Sequence, residues 1–249
     1  MQNIQGLVFT LFLGLFILVG AFIVFLTKNN KKFITFSIAL ALSVIVMLIF
    51  TDLGKEAYEM LGKDNVLFFI LFVILGFLLL KMLDIFVPDH EHHEHETNKE
   101  DTKNLSHIGK LSSIAIIIHN VIEGMAIYTT IVSNPSVGFM VSLGVGLHNI
   151  PLGMAITSTL YQSNKDKKKT YIYIFALSLS TFLGGLLLFI FGNNISEFIL
   201  GVLLSLTIGM LCFISICELL PRVINSKDKK TTVMGLLLGI ILMTATLFL

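Results

Sequence analysis

The stretch IIIHNVIEGMAIY, residues 116–128, sets a histidine, an asparagine and a glutamate in a run that is otherwise almost all hydrocarbon. On a helix, residues four apart share a face, so His119 and Glu123 project the same way with Asn120 beside them. A second stretch, GVGLHNIPLGMAI at 144–156, repeats the pattern with His148, Asn149 and Pro151, but places Leu152 where the first has its glutamate. Pro151 has no N–H to give the carbonyl of Leu147, which leaves an unpaired oxygen and a bend beside His148. Neutral imidazole, carboxylate and amide oxygen together suit a borderline dication such as Zn²⁺, Fe²⁺ or Mn²⁺ better than Mg²⁺ or Ca²⁺, which prefer all-oxygen shells. The bland alternative is a hydrogen-bonded pair between helices. That accounts for both asparagines but leaves Glu123 without a cationic partner, which a dication would supply.

The elements that must position these groups are set by composition. Hydrophobic residues make up 55% of the 249 and charged residues 13%, with a mean hydropathy of +0.89. Charges gather in short stretches between long apolar ones, the pattern of an integral membrane protein. A hydrocarbon core of about 30 Å needs roughly 20 apolar residues per spanning helix. Windows of that kind fall near residues 7–26, 33–50, 66–87, 107–131, 137–161, 170–191, 195–217 and 232–249. Lipid tolerates no open sheet edge, so even the Phe- and Ile-rich windows must be helical. The expected fold class is an all-α, polytopic membrane protein of eight transmembrane helices, with residues 1–249 as a single transmembrane domain.

Basic residues accumulate in cytoplasmic loops and so orient the chain. Lys28, Lys31 and Lys32 follow the first window, and Lys81, Lys99, Lys103 and Lys110 surround the link between the third and fourth. Lys165, Lys167, Lys168 and Lys169 follow the fifth, and Arg222, Lys227, Lys229 and Lys230 the seventh. The alternate loops hold only Lys55 and Lys63, so both termini are expected to be extracytoplasmic. No Lys or Arg precedes the first window and no small-residue cleavage pattern closes it, so it reads as a helix rather than a signal peptide. No basic surface large enough for nucleic acid exists. Cys212 and Cys217, five apart and so on different helical faces, read as unpaired small core residues.

Depth follows from helical rise. His119 lies 12 residues before Ile131 and His148 lies 12 after Ser136, so at about 1.5 Å per residue both sit roughly 18 Å below the outer surface, near the bilayer midplane. The short link VSNPS makes the two helices antiparallel neighbours, which lets the polar clusters meet. Intramembrane His and Glu are costly and commonly line an ion path.

With these residues in view, the chain resembles the ZIP (Zrt/Irt-like) metal transporters, whose paired signatures look like HNVIEG and HNIPLG here. The resemblance extends to the eight helices, the LDIFVPDHEHHEH segment ending the third and ELLP at the end of the seventh. It implies a ZIP-like helix bundle carrying Zn²⁺ or related ions toward the cytoplasm. It further implies that His119, Glu123 and His148 are ligands of the transported metal, and that Asn120 and Asn149 match positions facing a second, adjacent metal. Many relatives have glutamate where this chain has Leu152, and Thr181 in LSLSTFLGG stands where bacterial relatives carry another. With one carboxylate left, two dications a few ångströms apart would repel strongly in a low dielectric, so a single-metal site is expected. The softer donor set favours Zn²⁺ while admitting Fe²⁺, Mn²⁺, Cd²⁺ and Co²⁺. The metal is cargo, and no cofactor is implied. In the family, a block containing the fourth and fifth helices shifts against the rest, so alternating access is implied here.

The segment 88–106 is expected to be a cytoplasmic loop rich in His and acid, whose His90, His92, His93 and His95 would bind metal through changing ligand sets near the exit. Asp84 and Glu218 are the other candidate exit-path ligands, unless they simply pair with Lys81 or Arg222. Three rival readings fit less well. An intramembrane metal-dependent hydrolase would want HExxH-type spacing, but the second histidine is 29 residues away with no clear nucleophile. A cation-diffusion-type exporter would have six helices and a soluble tail. A non-transporting metal sensor is the third. The expected location is the cell (plasma) membrane, as a multi-pass protein, with the bilayer and a divalent ion as partners; a homodimer is compatible with the sequence.

Overall fold

Among the described residues, eight helices are long and apolar enough to cross a membrane, as the windows predict. The structure, a computed structural model, describes residues 4–27, 30–86, 97–163, 167–191 and 196–248. In chain order the helices are α1 (Ile4–Leu26), α2 (Lys31–Leu61), α3 (Val66–Phe86), α4 (Thr97–Ser133), α5 (Pro135–Ser163), α6 (Lys167–Phe191), α7 (Glu197–Ile224) and α8 (Lys229–Thr246). There is no strand among the described residues.

Local chemistry sets several ends. Asn30 caps α2 by accepting from the Phe33 N–H at 2.8 Å, Ser196 caps α7 from Ile199, and Asp228 caps α8 from Thr231. Gly62 ends α2 with φ at +84°, a conformation that a side chain would resist.

Two helices differ from their windows. α2 runs to Leu61 rather than ending near residue 50, through a π-helical turn at Ile49–Leu53. Its extension is amphipathic: Leu53, Ala57 and Leu61 are buried four apart, while Asp52, Lys55, Glu56 and Glu59 occupy the other faces, and that mixture breaks an apolar window. α7 likewise continues to Ile224 through a π turn at Ile214–Leu219. α4 is helical from Thr97, so it overlaps the segment read as a loop to residue 106. Cys212 and Cys217 are free, but Cys217 is exposed, so the core reading fails for it: five residues turn the helix well away from the face that Cys212 uses.

Packing sorts the helices into two groups. α1 lies along α5 and α6, and α4 lies along the same two. Separately, α3 lies along α7, α2 along α8, and the end of α2 against α7. Glycines hold each group together by letting backbones touch, the usual device where lipid removes the hydrophobic drive for helix association. A methyl at Gly14 or Gly124 would overlap the carbonyl oxygens of Ser178 or Thr181 in α6, and one at Gly153 that of Ile17 in α1. In the other group, Gly76 and Gly209 join α3 to α7, and Gly235 joins α8 to α2. Between the groups the described glycines make no such contact. Gly144 of α5, whose added methyl would stand an ordinary 3.8 Å from Thr246 of α8, is the nearest approach. That boundary is filled by aliphatic side chains instead, among them Ile45, Ile116, Leu152, Ile156 and Ile214.

Candidate metal site

α4 and α5 form an antiparallel hairpin joined by Asn134, whose N–H donates to Thr130 and whose side chain accepts from Val137. His119 lies 15 residues before that hinge and His148 lies 14 after it, so equal helical rise brings them level. The helix continues through Pro151, which is buried. Nε2 of His148 lies 3.1 Å from Oε1 of Glu123, Nε2 of His119 lies 3.7 Å from the same oxygen, and the two rings stand 6.3 Å apart. One ligand atom from each of the three residues falls within 4.8 Å of the others. Tetrahedral zinc with ligands at about 2.0 Å sets them about 3.3 Å apart, so small side-chain adjustments would close the shell.

All three residues are buried, Glu123 at 6% exposure and both histidines at 2% or less. The unsatisfied atoms are concentrated here: both ring nitrogens of His119, Oε2 of Glu123, both side-chain atoms of Asn149, Oδ1 of Asn120 and the hydroxyl of Thr181 have no hydrogen-bond partner. Asn120 does donate to the Leu177 carbonyl, at 3.4 Å, which ties it to α6. Buried polar groups normally find partners. Carboxylate and imidazole lone pairs left bare in such a cluster are groups that could hold a cation.

Leu152 is fully buried but turned elsewhere. It lines a minute void of about 10 Å³ with Ile45, Ile116, Ile156 and Ile214, away from the cluster. A different cavity, about 150 Å³, reaches Glu123 and His148 from the end of the bundle where Thr246 lies. Asp52 and Glu56 of α2 are on its wall, and sequence reasoning missed both because they follow the apolar window.

At the opposite end, Asp84 of α3 and Glu218 of α7, both singled out from the sequence, come together with His107 of α4, again within 4.8 Å. His107 Nε2 lies 2.6 Å from Asp84 Oδ1. His107 escaped the sequence reading because it opens the fourth apolar window beside Asn104, Ser106 and Lys110, where one more polar group does not stand out. His90, His92, His93 and His95 lie outside the described residues.

Comparison with known proteins decides among the readings. A family model described as "ZIP Zinc transporter" matches residues 87–246. The chain belongs to the ZIP family. Among curated relatives, "Zinc transporter ZupT" of Oceanobacillus iheyensis is 32% identical over 257 residues, covering 96% of each chain. The protein of the same name from Streptococcus mutans is 32% identical, covering 97% of this chain and 96% of its own. That of Clostridium perfringens is 30% identical over the whole chain and 97% of its own. The ZIP chain is thus a polytopic membrane transporter rather than a hydrolase, and the paired signature helices that led to it are those that build the buried His/Glu cluster.

Proposed function

We propose that this ZIP protein carries Zn²⁺, with Fe²⁺, Mn²⁺, Cd²⁺ and Co²⁺ as competing ions, toward the cytoplasm across the plasma membrane. The observation that carries the reading is the convergence of His119, Glu123 and His148 from two helices into one buried, hydrogen-bond-starved cluster. Relatives of nearly the same length bear the name zinc transporter. The site is near the bilayer midplane: His119 has 14 residues of its span on either side, and His148 has 13 before and 15 after. It holds one metal, because Leu152 and Thr181 bring no carboxylate and Leu152 packs against aliphatic side chains instead. Asn120 and Asn149 support the shell as neutral donors. Asp84, His107 and Glu218 form the exit path.

Both termini face outward, so the 150 Å³ cavity opens outside and the aliphatic plug of Ile45, Ile116, Leu152, Ile156 and Ile214 closes the inner side. Alternating access follows from the glycine contacts. Each helix group is locked internally by backbone contact, while the boundary between the groups is made of side chains, mostly aliphatic with the His107–Asp84 pair among them, so the group bearing α4 and α5 shifts as a body against the other.

The test is uptake of Zn²⁺, Fe²⁺, Mn²⁺ and Cd²⁺ by the purified full chain in liposomes. Zn²⁺ uptake that disappears in His119→Ala is the expected result. Normal transport by that variant would remove the site assignment, and no uptake by the parent would remove the transport reading.

A further inference from the structure

We infer that Asp52 and Glu56 form a capture station for the incoming dication, supplying from α2 the anionic charge that Leu152 and Thr181 withhold from the metal site. The inference rests on the transport reading above and names the residues that precede the histidines on the ion's path. Both acids line the cavity whose deep end is Glu123 and His148. The ligand is indicated by Glu123 itself, which is 6% exposed and lines the cavity with Oε2 unpartnered. A buried carboxylate with one oxygen unpartnered, on a cavity lined by two further carboxylates, has a cation as its natural complement.

The local fold aims the pair. Leu53, Ala57 and Leu61 bury one stripe of α2, with Leu61 against Gly201 of α7, and this fixes the rotation of the extension. Asp52 and Glu56, four apart, share the neighbouring face. Asp52 stands inside the π turn Ile49–Leu53, a widened turn of the kind found at functional sites. Gly54 makes that turn feasible: a Cβ there would lie 2.7 Å from the Ile49 carbonyl, to which its own N–H is bonded.

The two stages differ in chemistry. Asp52 and Glu56 offer oxygen alone, which holds any hydrated dication loosely and without choosing among them. The two imidazoles beyond supply the nitrogen donors that separate zinc from harder ions. Capture therefore sets the concentration dependence of uptake, and the histidines set its selectivity. The stages also lie on different helix groups, α2 against α4 and α5, so the ion changes groups as it moves inward.

The experiment compares Zn²⁺ and Mn²⁺ uptake by the full chain in liposomes, parent against Asp52→Asn/Glu56→Gln. The expected result is a KM about tenfold higher for both ions, an unchanged ratio between them and a Vmax within about twofold, with the KM difference shrinking at high salt. An unchanged KM, a lower Vmax at the parental KM, or a changed Zn²⁺ to Mn²⁺ preference would each overturn the inference. If the double variant is poorly folded, the single variants carry the test, each raising KM about threefold. Parental uptake lost in His119→Ala but retained with its original KM in the double variant would leave the transport reading standing and defeat this one alone.

Discussion

Alanine at Gly124 and alanine at Gly144 should have opposite consequences, because one glycine lies inside a helix group and the other between groups. A methyl at Gly124 would sit within the envelope of the Thr181 carbonyl oxygen, and a carbonyl in a hydrogen-bonded helix cannot swing aside as a side chain can. At Gly144 the same methyl meets Thr246 at 3.8 Å, an ordinary van der Waals contact. Both positions are within helices, so the roughly 1 kcal/mol that alanine gains over glycine in helix propensity is common to the two variants and cancels in their difference. What remains is the overpacking cost, about 1–3 kcal/mol and toward the upper end for a backbone neighbour. At about 2–4 °C per kcal/mol for a chain of this size, Gly124→Ala should melt roughly 5–10 °C below Gly144→Ala in the same detergent. Uptake should fall with it, since pushing α4 from α6 displaces the adjacent Glu123. Thermal melts followed by near-ultraviolet circular dichroism, with uptake in liposomes, read both effects. Melting points within about 2 °C of each other would show that α4 and α6 are not joined at Gly124, and the division into two rigid groups would fail.

The remaining predictions concern the metal and the caps. Glu123→Gln should fold but bind Zn²⁺ on the order of 100-fold more weakly or worse, read by competition with a fluorescent chelator; near-parental affinity would exclude Glu123 as a ligand. Leu152→Glu should raise bound zinc, counted by elemental analysis of the purified protein, from one to two per chain at the cluster, and should melt lower without metal because the void it enters is too small for water; two zinc ions there in the parent would refute the single-metal reading. Asp228 accepts from the hydroxyl and N–H of Thr231, and these bonds hold its carboxyl below the usual aspartate range. A carboxyl held low stabilises the fold above its unfolded value, about pH 4, and loses that contribution as pH falls through its folded value. Parent and Asp228→Ala should therefore differ in melting point at pH 7 and converge in strong acid; a constant gap across that range would deny the ionic cap.

What could be read from the sequence depended on how sharply each residue contrasted with its surroundings. His119, Glu123 and His148 stand out because each polar group sits in hydrocarbon, where one helical turn fixes its direction and a one-residue hinge fixes its depth. Asp52 and Glu56 carry the same carboxylate as Glu123 and line the cavity that it lines, but they share their turn with Lys55 and Glu59, and an average over such a segment looks like the end of a helix. His107 was hidden for a related reason, since its partners Asp84 and Glu218 come from helices distant in sequence and no local spacing connects them. Leu152 shows the limit from the other side. Its type said that a carboxylate was missing, and only packing could say what took its place, a dry contact among isoleucines on the boundary between helix groups. In the proposed mechanism Leu152 therefore does two things: it leaves the candidate metal site with less charge and adds aliphatic surface to the plane between the groups. On the proposed path the acids of the opposite group match that charge, so the attraction that would draw the ion inward is built partly across the boundary. In that arrangement a cation between Glu123 and the α2 acids would hold the groups together, and its descent to the histidines would release them.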